Sequence, residues 1–416
     1  MRILMFAPSF APKNNPEAIV NGKLALAFIK EGWDIDIITH NKKTDYEYTE
    51  EIDTIWSLLK DHTHKITPPI YSGLSRYLNL LVCFLKTGHP IQGVRWAYYA
   101  HKAATKLAKQ KRYDIIMSRA MPENAHLPAL LLSKETKIPW IANWNDPHEE
   151  MAPHPWEKPR KFSIIKNHYN KTLLKHINWH TFPSEKMRKY MSNYLSDCVF
   201  QKSSVMPHIG LDQKIAGIQD PKYFKICYSG ALYKGRDPSA LFSAVNSLIS
   251  EVPDIKKNIR IILVGKFSNW ITDLIQLFSL EEIVTIVEPM SYIKSLNFIA
   301  KMDLLFLLET DYTNGIFLPS KIADYSQVNR PIIAMGALNS EVQFILNQYG
   351  GGVYIPHSES KTLKNKLNQL YKLWENGLMD SIIAESKLSA IFNPSAIINK
   401  YNGLFEKLLI LSTNQT

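Results

Sequence analysis

The chain has 416 residues, enough for two domains at about 150 residues each. Hydrophobic residues make up 45% and charged residues 21%, which is typical of a globular protein with a large core, and no apolar run approaches the roughly 18 residues that a membrane-spanning helix needs. The net charge of +11 suits an anionic partner such as a nucleic acid, an anionic membrane surface or a phosphorylated ligand. No nucleic-acid motif is present, so we expect no nucleic-acid partner and favour the other two.

The first half of the chain predicts alternating strands and helices. Residues 2–7 are an apolar run typical of a buried strand, residues 18–30 carry apolar side chains at helical spacing, and residues 33–39 alternate as a second strand. Strand, helix and strand in succession form a βαβ unit, which implies a parallel sheet. The apolar run 78–85 fits either a strand or one face of a helix. Further strands are predicted at 113–117, 139–143 and 180–183, and further helices at 123–134 and 184–195.

A second series of the same kind begins near residue 224, after a stretch at 203–222 that is rich in Pro, Gly, Asp and Gln. Its strands are predicted at 224–229, 260–264, 284–287, 304–308 and 331–334, and its helices at 239–250, 292–301 and 320–328, with a last helix at 396–411. We therefore predict one domain at 1–205, a second at 223–395 and a C-terminal helix at 396–416. Together they predict an α/β protein with two Rossmann-like sheets.

Several other chemistries find no support in the motifs. Cys83, Cys198 and Cys227 are an odd, widely spaced set, which fits neither a disulfide framework nor a CxxC metal site and favours a cytoplasmic location. No HExxH motif or Cys/His cluster occurs, so we expect no metal. No GxGxxG follows the first strand, which argues against a nicotinamide or flavin dehydrogenase.

The segment 315–334, GIFLPSKIADYSQVNRPIIA, is the most informative candidate for chemistry, because ligands of parallel sheets bind beyond the carboxyl ends of strands. Ser320 can open a helix after a proline, which would leave the amides of Ser320, Lys321 and Ile322 available for a diphosphate. Lys321 adds a positive charge, and Asp324 could accept hydrogen bonds from ribose hydroxyls. An ordinary capped helix with a solvated acid remains the alternative.

Two further segments follow predicted strands. In the loop 230–238, glycines allow close backbone approach, while Lys234 and Arg236 could neutralise phosphates; a surface turn with solvated charges is the alternative. The segment 143–148, NWNDPH, suits recognition of a hydroxylated ligand or, equally, a solvent-facing turn. His126 lies in a predicted helix, where an ordinary helix histidine is the default interpretation.

These segments together resemble the GT-B glycosyltransferases, specifically the large retaining group classed as family 4, over most of the chain and least at 41–110. The sequence LPSKIADYSQVNRPIIA at 318–334 is similar to the family segment PSKxxEYxxxGxPIIA. Residues 229–238 resemble a basic diphosphate-binding loop, and 205–212 resemble the interdomain VIPNGVD. IPWIANWNDP at 138–147 resembles the PWVADFRDPW of a subgroup that acts in surface-polysaccharide synthesis.

The resemblance implies a GT-B fold, with an acceptor-binding domain at 1–205, a donor-binding domain at 223–395, a cleft between them, and the helix at 396–416 packing back toward the first domain. It implies the following site residues: Lys234, Arg236, Ser320 and Lys321 at the donor diphosphate; Asp324 at the ribose; Gly265, Met290, Gly315 and Ile316 near the donor base or sugar; and Asn143, Asn145 and Asp146 near the acceptor. The catalytic residues stay open, with Asp146 and His126 as candidates.

The sequence departs from the family pattern at several positions. Asp324 is one methylene shorter than the family glutamate, and Ile316 stands where the first glutamate of the family pair would fall. Asn329 replaces a usual glycine, Asn145 replaces the Arg of RDP, and Ala120 stands about where some relatives have a site histidine. The diphosphate site is therefore better supported than the acceptor site.

The implied activity is metal-independent transfer of a sugar from a nucleotide-diphosphate donor, for which we expect a UDP-sugar, with retention at the anomeric carbon. The implied acceptor is a saccharide or a lipid-linked molecule in cell-surface polysaccharide synthesis, and no other cofactor is expected. A non-hydrolysing nucleotide-sugar 2-epimerase and a catalytically degenerate GT-B subunit are the alternatives. Residues 158–175 mix basic and apolar side chains, so they form either a surface for anionic lipid at the inner membrane face or a core-facing helix.

Overall fold

A computed structural model describes residues 1–41, 54–121, 123–147, 164–213, 215, 217–233, 235–311 and 315–413. The chain divides into two compact units, Met1–Ile209 with Pro394–Thr416, and Gly210–Asn393. Within the described ranges, no helix combines the length and the apolar character needed to cross a bilayer.

The first unit is built on seven strands: β1 (Arg2–Phe6), β2 (Asp34–His40), β3 (Thr63–Ile66), β4 (Ile115–Ala120), β5 (Trp140–Trp144), β6 (Trp179–Phe182) and β7 (Ser203–Val205). They form one parallel sheet in the order β3-β2-β1-β4-β5-β6-β7, with Ile3 of β1 opposite Ile35 on one side and Ile115 on the other. Its first helices are α1 (Pro16–Lys30), α2 (Gly73–Thr87), α3 (Val94–Gln110), α4 (His126–Thr136), α5 (Ile164–His176), α6 (Glu185–Leu195) and α7 (Asp197–Gln201).

The second unit is built on six strands: β8 (Phe224–Ser229), β9 (Ile259–Val264), β10 (Val284–Val287), β11 (Leu304–Leu308), β12 (Ile332–Gly336) and β13 (Gly352–Pro356). They form a second parallel sheet in the order β10-β9-β8-β11-β12-β13. Its helices are α8 (Ser239–Glu251), α9 (Ile255–Asn258), α10 (Asn269–Leu277), α11 (Tyr292–Ile299), α12 (Lys321–Val328), α13 (Glu341–Tyr349), α14 (Leu363–Glu375) and α15 (Leu388–Phe392). Short 3-10 helices lie at Thr54–Leu59, Glu123–Ala125, His357–Thr362 and Met379–Ile382.

The last helix, α16 (Pro394–Thr413), belongs to the first unit. Its Tyr401 meets Phe28 of α1 edge to face, with ring centres 5.2 Å apart, and Phe405 lies 5.2 Å from the ring of Trp33. These side chains are buried, so the helix is held by an aromatic cluster in addition to its aliphatic contacts.

The central strands are mostly apolar because helices cover both faces of a parallel sheet. β11 reads LLFLL and β5 reads WIANW, and every residue of both strands is buried. The predicted architecture of two parallel sheets is confirmed, and the bounds of β8, β10 and β11 agree with the predicted ones.

Short edge strands and the region near residue 100 were not predicted. β7 reads SSV and lies inside the stretch 203–222 that the sequence presents as a linker, while β3 reads THKI. Such strands depend on pairing with a neighbour more than on their own composition, which is why the sequence does not reveal them. The apolar run 78–85 lies in α2 and is therefore a helix face.

The substitution Phe405→Ala should lower the free energy of unfolding of the first unit by about 3–5 kcal/mol, because it leaves a cavity among buried rings. Urea unfolding followed by circular dichroism measures this. The control Leu411→Ala, on the same helix but 46% exposed, should change it by no more than about 0.5 kcal/mol. Equal effects for the two variants would contradict the packing role of the cluster.

Candidate functional site

The strand order of the second sheet reverses direction between β8 and β11. On one side of β8 lie β9 and β10, and on its other side lie β11, β12 and β13. Ligands of open parallel sheets bind at such a switch point, beyond the carboxyl ends of the strands. The hydroxyl of Tyr325, on α12, connects the two strands there: it accepts from the amide of Ser229 and donates to the carbonyl of Phe306, each at 3.3 Å. Gly230 and Glu309 directly follow the two strands.

Lys321, the first residue of α12, lies across the end of β8. Its Nζ is 3.3 Å from the hydroxyl oxygen of Tyr228 and 4.5 Å from the centre of that ring. A Cβ at position 230 would collide with the end of the Lys321 side chain, and Gly230 has a positive φ of 132°. Glycine therefore makes room for the ammonium group. Burial lowers the pKa of Lys321 to about 7, helped by the charge of Arg236 and opposed by Asp324.

Arg236 supplies a second positive charge next to Lys321. Its backbone N–H donates to the carbonyl of Tyr233 at 2.6 Å, and its guanidinium lies 5.3 Å from the centre of the Tyr233 ring. The Nε of Arg236 is buried without a hydrogen-bond partner within the described residues. Since neighbouring cations repel and a buried donor is costly to leave unsatisfied, this arrangement favours an anion that meets both groups. Lys234, predicted to act with them, lies outside the described residues.

The start of α12 differs in detail from the prediction. Ser320 precedes the helix but its side chain makes no capping hydrogen bond. The amide of Ile322, predicted to be available for an anion, instead donates to the carbonyl of Pro319 at 3.1 Å, and that of Ala323 donates to the carbonyl of Ser320. The tight first turn uses these donors internally. The predicted anion site therefore depends more on the side chains of Lys321 and Arg236 than on the amide of Ile322.

Asp324 lies in the first turn of α12, where its Oδ1 accepts a hydrogen bond of 2.6 Å from the hydroxyl of Tyr292. This bond orients the carboxylate predicted to hold the ribose. The helix ends at Asn329, which has a left-handed conformation with φ 52°. Asn tolerates that conformation better than most residues, so the replacement of the family glycine at this position is physically reasonable.

Glu309 is a site residue that the sequence reasoning missed, although the rule of strand ends selects the loop in which it lies. It is 5% exposed, and its Oε2 accepts a hydrogen bond of 2.9 Å from the hydroxyl of Tyr354. Burial raises the pKa of Glu309 to about 7, against the lowering effects of Ser340, Tyr354 and Arg236. A carboxyl group whose pKa is raised toward neutrality thus lies close enough to Arg236 to be affected by its charge.

The remaining residues predicted near the donor occupy neighbouring loops. Gly265 follows β9, and a Cβ there would come within 2.7 Å of the carbonyl oxygen of Gly230, so the two loops touch through their backbones. Met290 is partly exposed in the loop after β10. Gly315 accepts from the amide of Glu341 at 2.9 Å, and Ile316 is buried. The roles predicted for these residues stay predictions.

The carboxyl edge of the first sheet carries a polar cluster around Glu17, which the sequence reasoning also missed. Asn145 donates to Oε2 of Glu17 at 2.6 Å, and Asn21 donates to Oε1 at 3.1 Å. Arg119, the penultimate residue of β4, donates to the side-chain oxygen of Asn21. Burial raises the pKa of Glu17 to about 7, opposed first by the charge of Arg119. Glu17 could have been singled out from the sequence, because it is an acid in the first turn of the helix after β1.

The predicted acceptor and catalytic candidates of the first unit fall into two groups. Asn145 contacts Glu17 directly, and Asp146 is near enough to raise its pKa. Asn143 is 2% exposed, and its side-chain amide lies 3.2 Å from the hydroxyl of Thr181 on β6. His126 is fully buried, with Nδ1 2.8 Å from the hydroxyl of Ser118 and its ring 4.2 Å from that of Trp144. Only the first group, Asn145 and Asp146, belongs to the cluster around Glu17.

The segment 158–175 is described from residue 164 onward, as α5. Tyr169 is 1% exposed and Leu173 is fully buried. These apolar side chains face the interior, as the core-facing interpretation of the segment predicts.

No protein-family model matches the chain, and no curated protein matches it. Solved structures do match along nearly the whole length. The sucrose-phosphate synthase of Thermosynechococcus elongatus is 14% identical with a TM-score of 0.68, covering 99% of this chain and 100% of that one. HepE of Anabaena, solved with UDP and glucose, is 15% identical with a TM-score of 0.64, covering 98% and 100%. A candidate UDP-N-acetylglucosamine 2-epimerase of Listeria monocytogenes is 12% identical with a TM-score of 0.56, covering 98% and 97%.

The chain has the GT-B fold. The two parallel sheets with surrounding helices match those structures, and the fold expected from the PSK-containing segment is confirmed. In this GT-B protein, the paired cations of the second unit lie at the switch point of their own sheet.

Competitive acylation of lysines at a series of pH values should show Lys321 reacting with a midpoint near pH 7, because only the neutral amine is nucleophilic. Mass spectrometry of the labelled peptides measures this. Lys257 is the control: its pKa is raised by an exposed ion pair with Asp254, so its midpoint should be much higher. The substitution Arg236→Gln should raise the Lys321 midpoint by removing a neighbouring positive charge. A Lys321 midpoint equal to that of Lys257 would contradict the description of the site.

Proposed function

We propose that this GT-B protein is a glycosyltransferase whose second unit binds a nucleotide-diphosphate sugar. The observation that carries the proposal is the juxtaposition of Arg236 with Lys321, whose side chain lies over Gly230 at the switch point of the sheet. Two neighbouring cations match a diphosphate, which carries two negative charges between its sugar and its nucleoside. The structural neighbour solved with UDP-glucose supports a UDP-sugar as the donor.

In the proposed reaction, the bond between the anomeric carbon and the diphosphate oxygen breaks and the acceptor oxygen forms the new glycosidic bond. The acceptor proton passes to the leaving diphosphate. Lys321 and Arg236 stabilise the charge that develops on that leaving group, so the proposed reaction needs no metal or other cofactor. Asp324 binds the ribose, and Glu309 faces the donor sugar. Retention at the anomeric carbon follows from the resemblance of the PSK-containing segment.

The acceptor is proposed to bind at the cluster of Glu17, Asn145 and Asp146 in the first unit. Carboxyl and amide groups arranged together suit the hydroxyls of a sugar, and the pKa of Glu17 near 7 lets it accept or donate a hydrogen bond at neutral pH. A saccharide or lipid-linked acceptor of cell-surface polysaccharide synthesis, used at the cytoplasmic side, is the proposed substrate.

One observation favours a second candidate function, a nucleotide-sugar 2-epimerase. Glu309 is a buried acid with a pKa of about 7 next to the proposed donor site, as a proton-transfer step at the sugar would need, and one structural neighbour is a candidate epimerase. Incubation with UDP-sugars but no acceptor separates the two functions, since only an epimerase would convert the sugar itself.

The substitutions Lys321→Ala and Arg236→Ala should each weaken binding of a UDP-sugar by about 10- to 150-fold, because each removes a charge-assisted interaction worth about 1.5–3 kcal/mol. Calorimetry with a panel of UDP-, GDP-, ADP- and TDP-sugars measures this and identifies the nucleotide. Lys257→Ala, an exposed lysine of the same unit, is the matched control. Unchanged affinity in both site variants, or no binding by the unsubstituted protein as a degenerate subunit predicts, would refute the proposal.

Donor affinity should rise by about tenfold as the pH falls from 8 to 6, because Lys321 gains its proton below a pKa of about 7 and the diphosphate of a nucleotide sugar does not titrate there. Protonation of Glu309 over the same range removes a negative charge and acts in the same direction. Calorimetry on Lys321→Met and Glu309→Gln separates the two contributions. A donor affinity that falls with decreasing pH would contradict the predicted pH dependence.

A further inference from the structure

Helix α2 turns an apolar face outward. Its exposed apolar side chains recur at intervals of one, three or four residues, which places them on one side of the helix. This row, called the α2 stripe, consists of Leu74, Tyr77, Leu78, Leu81, Val82 and Leu85, and their exposed fractions lie between 44% and 74%. A surface helix normally packs its apolar face on the core, so a contiguous exposed row marks an interaction surface.

The opposite side of α2 is already occupied by the fold. Cys83 and Thr87 are buried, and Asn79 donates to the hydroxyl oxygen of Tyr99 on α3 at 3.1 Å. Arg95 of α3 in turn donates to the side-chain oxygen of Asn79 at 2.8 Å. Rotation of the stripe toward the interior would break these bonds, so its outward direction is fixed by α3.

The sequence around the stripe carries only one sign of charge. Residues 62–113 contain no Asp or Glu, although the whole chain has 38. They contain these Lys and Arg residues: Lys65, Arg76, Lys86, Arg95, Lys102, Lys106, Lys109, Lys111 and Arg112. Lys111 pairs with Asp36 at 2.8 Å, whereas Arg76 and Lys86 on α2 and several lysines of α3 are exposed. The stripe therefore lies in a basic stretch of sequence that contains no acid of its own, although Glu135 of α4 pairs with His101 of α3 at 3.0 Å.

We propose that the α2 stripe and its basic surroundings dock on the surface of an anionic lipid bilayer. The apolar side chains would enter the boundary between headgroups and acyl chains while the lysines and arginines meet anionic headgroups, as in interfacial amphipathic helices. A second copy of the chain is a poor occupant, because a two-fold contact through the stripe would bring the basic side chains of α2 in one copy against those of the other. Helix α5 does not compete for this role, since Tyr169 and Leu173 are buried.

Flotation of the full chain with vesicles tests the apolar part of the proposal. The protein should bind vesicles of phosphatidylcholine with phosphatidylglycerol and should bind phosphatidylcholine alone much more weakly. The double variant Leu78→Asp, Leu81→Asp should reduce binding about tenfold or more. The matched control is Leu277→Asp, Leu378→Asp in the second unit, where the exposed fractions are 73% and 53%. Should the first variant fail to fold by circular dichroism, Leu74→Ser with Leu85→Ser replaces it.

Separate variants test the electrostatic part of the membrane-docking proposal. Lys102→Ser and Lys106→Ser on α3 should weaken binding to the anionic vesicles by about fivefold each, and added salt should weaken it further. Lys256→Ser and Lys257→Ser in the second unit are the controls and should have little effect. No nucleotide is present in the assay, so its result is independent of the proposed transferase activity.

Three results would overturn the proposal. One is equal binding to neutral and anionic vesicles, and another is unchanged binding by the stripe variants. The third is sedimentation of the unsubstituted chain as an oligomer while the stripe variants sediment as monomers, which would assign the stripe to contact between protein chains.

Discussion

The electrostatic conflict between Lys321 and Arg236 is the feature on which the functional account rests. Two cations share a small region with Asp324, and burial together with Arg236 lowers the pKa of Lys321 to about 7. Such an arrangement costs free energy in the empty protein. An anion that contacts both groups removes that cost, which gives the second unit a physical reason to bind a diphosphate.

The fold brings these charges together from distant parts of the chain. Arg236 comes from the loop after β8, whereas Lys321 begins the helix that leads into β12. Tyr325 joins the ends of β8 and β11, and Gly230 leaves space for the lysine side chain. The switch point of a parallel sheet thus becomes the proposed anion site through one glycine, one tyrosine and two cations. The first unit has a corresponding polar edge around Glu17, where amides and the charge of Arg119 surround an acid whose pKa is raised to about 7.

Much of this could be predicted from the sequence, because apolar runs and helical spacing reveal buried strands and amphipathic helices directly. The runs FKICYS and LLFLL predicted the bounds of β8 and β11, and the PSK-containing segment indicated the place of the proposed anion site. What escaped prediction depends on three-dimensional contacts. The pKa values of Glu17 and Glu309 arise from burial, the amide of Ile322 is used by a tight turn, and the strand β7 exists only through pairing with β6. The apolar run 78–85 was ambiguous because a short apolar run fits either a strand or a helix face. Its exposure depends on how α2 packs against α3.

A crystal structure of the chain with a bound UDP-sugar would test the central claim most directly. The account predicts that the diphosphate lies over Gly230, with its oxygens within hydrogen-bond distance of Lys321 Nζ and the Arg236 guanidinium. It also predicts that the ribose lies beside Asp324. A nucleotide bound elsewhere, with Lys321 still directed at Tyr228 and making no contact with phosphate, would contradict the account.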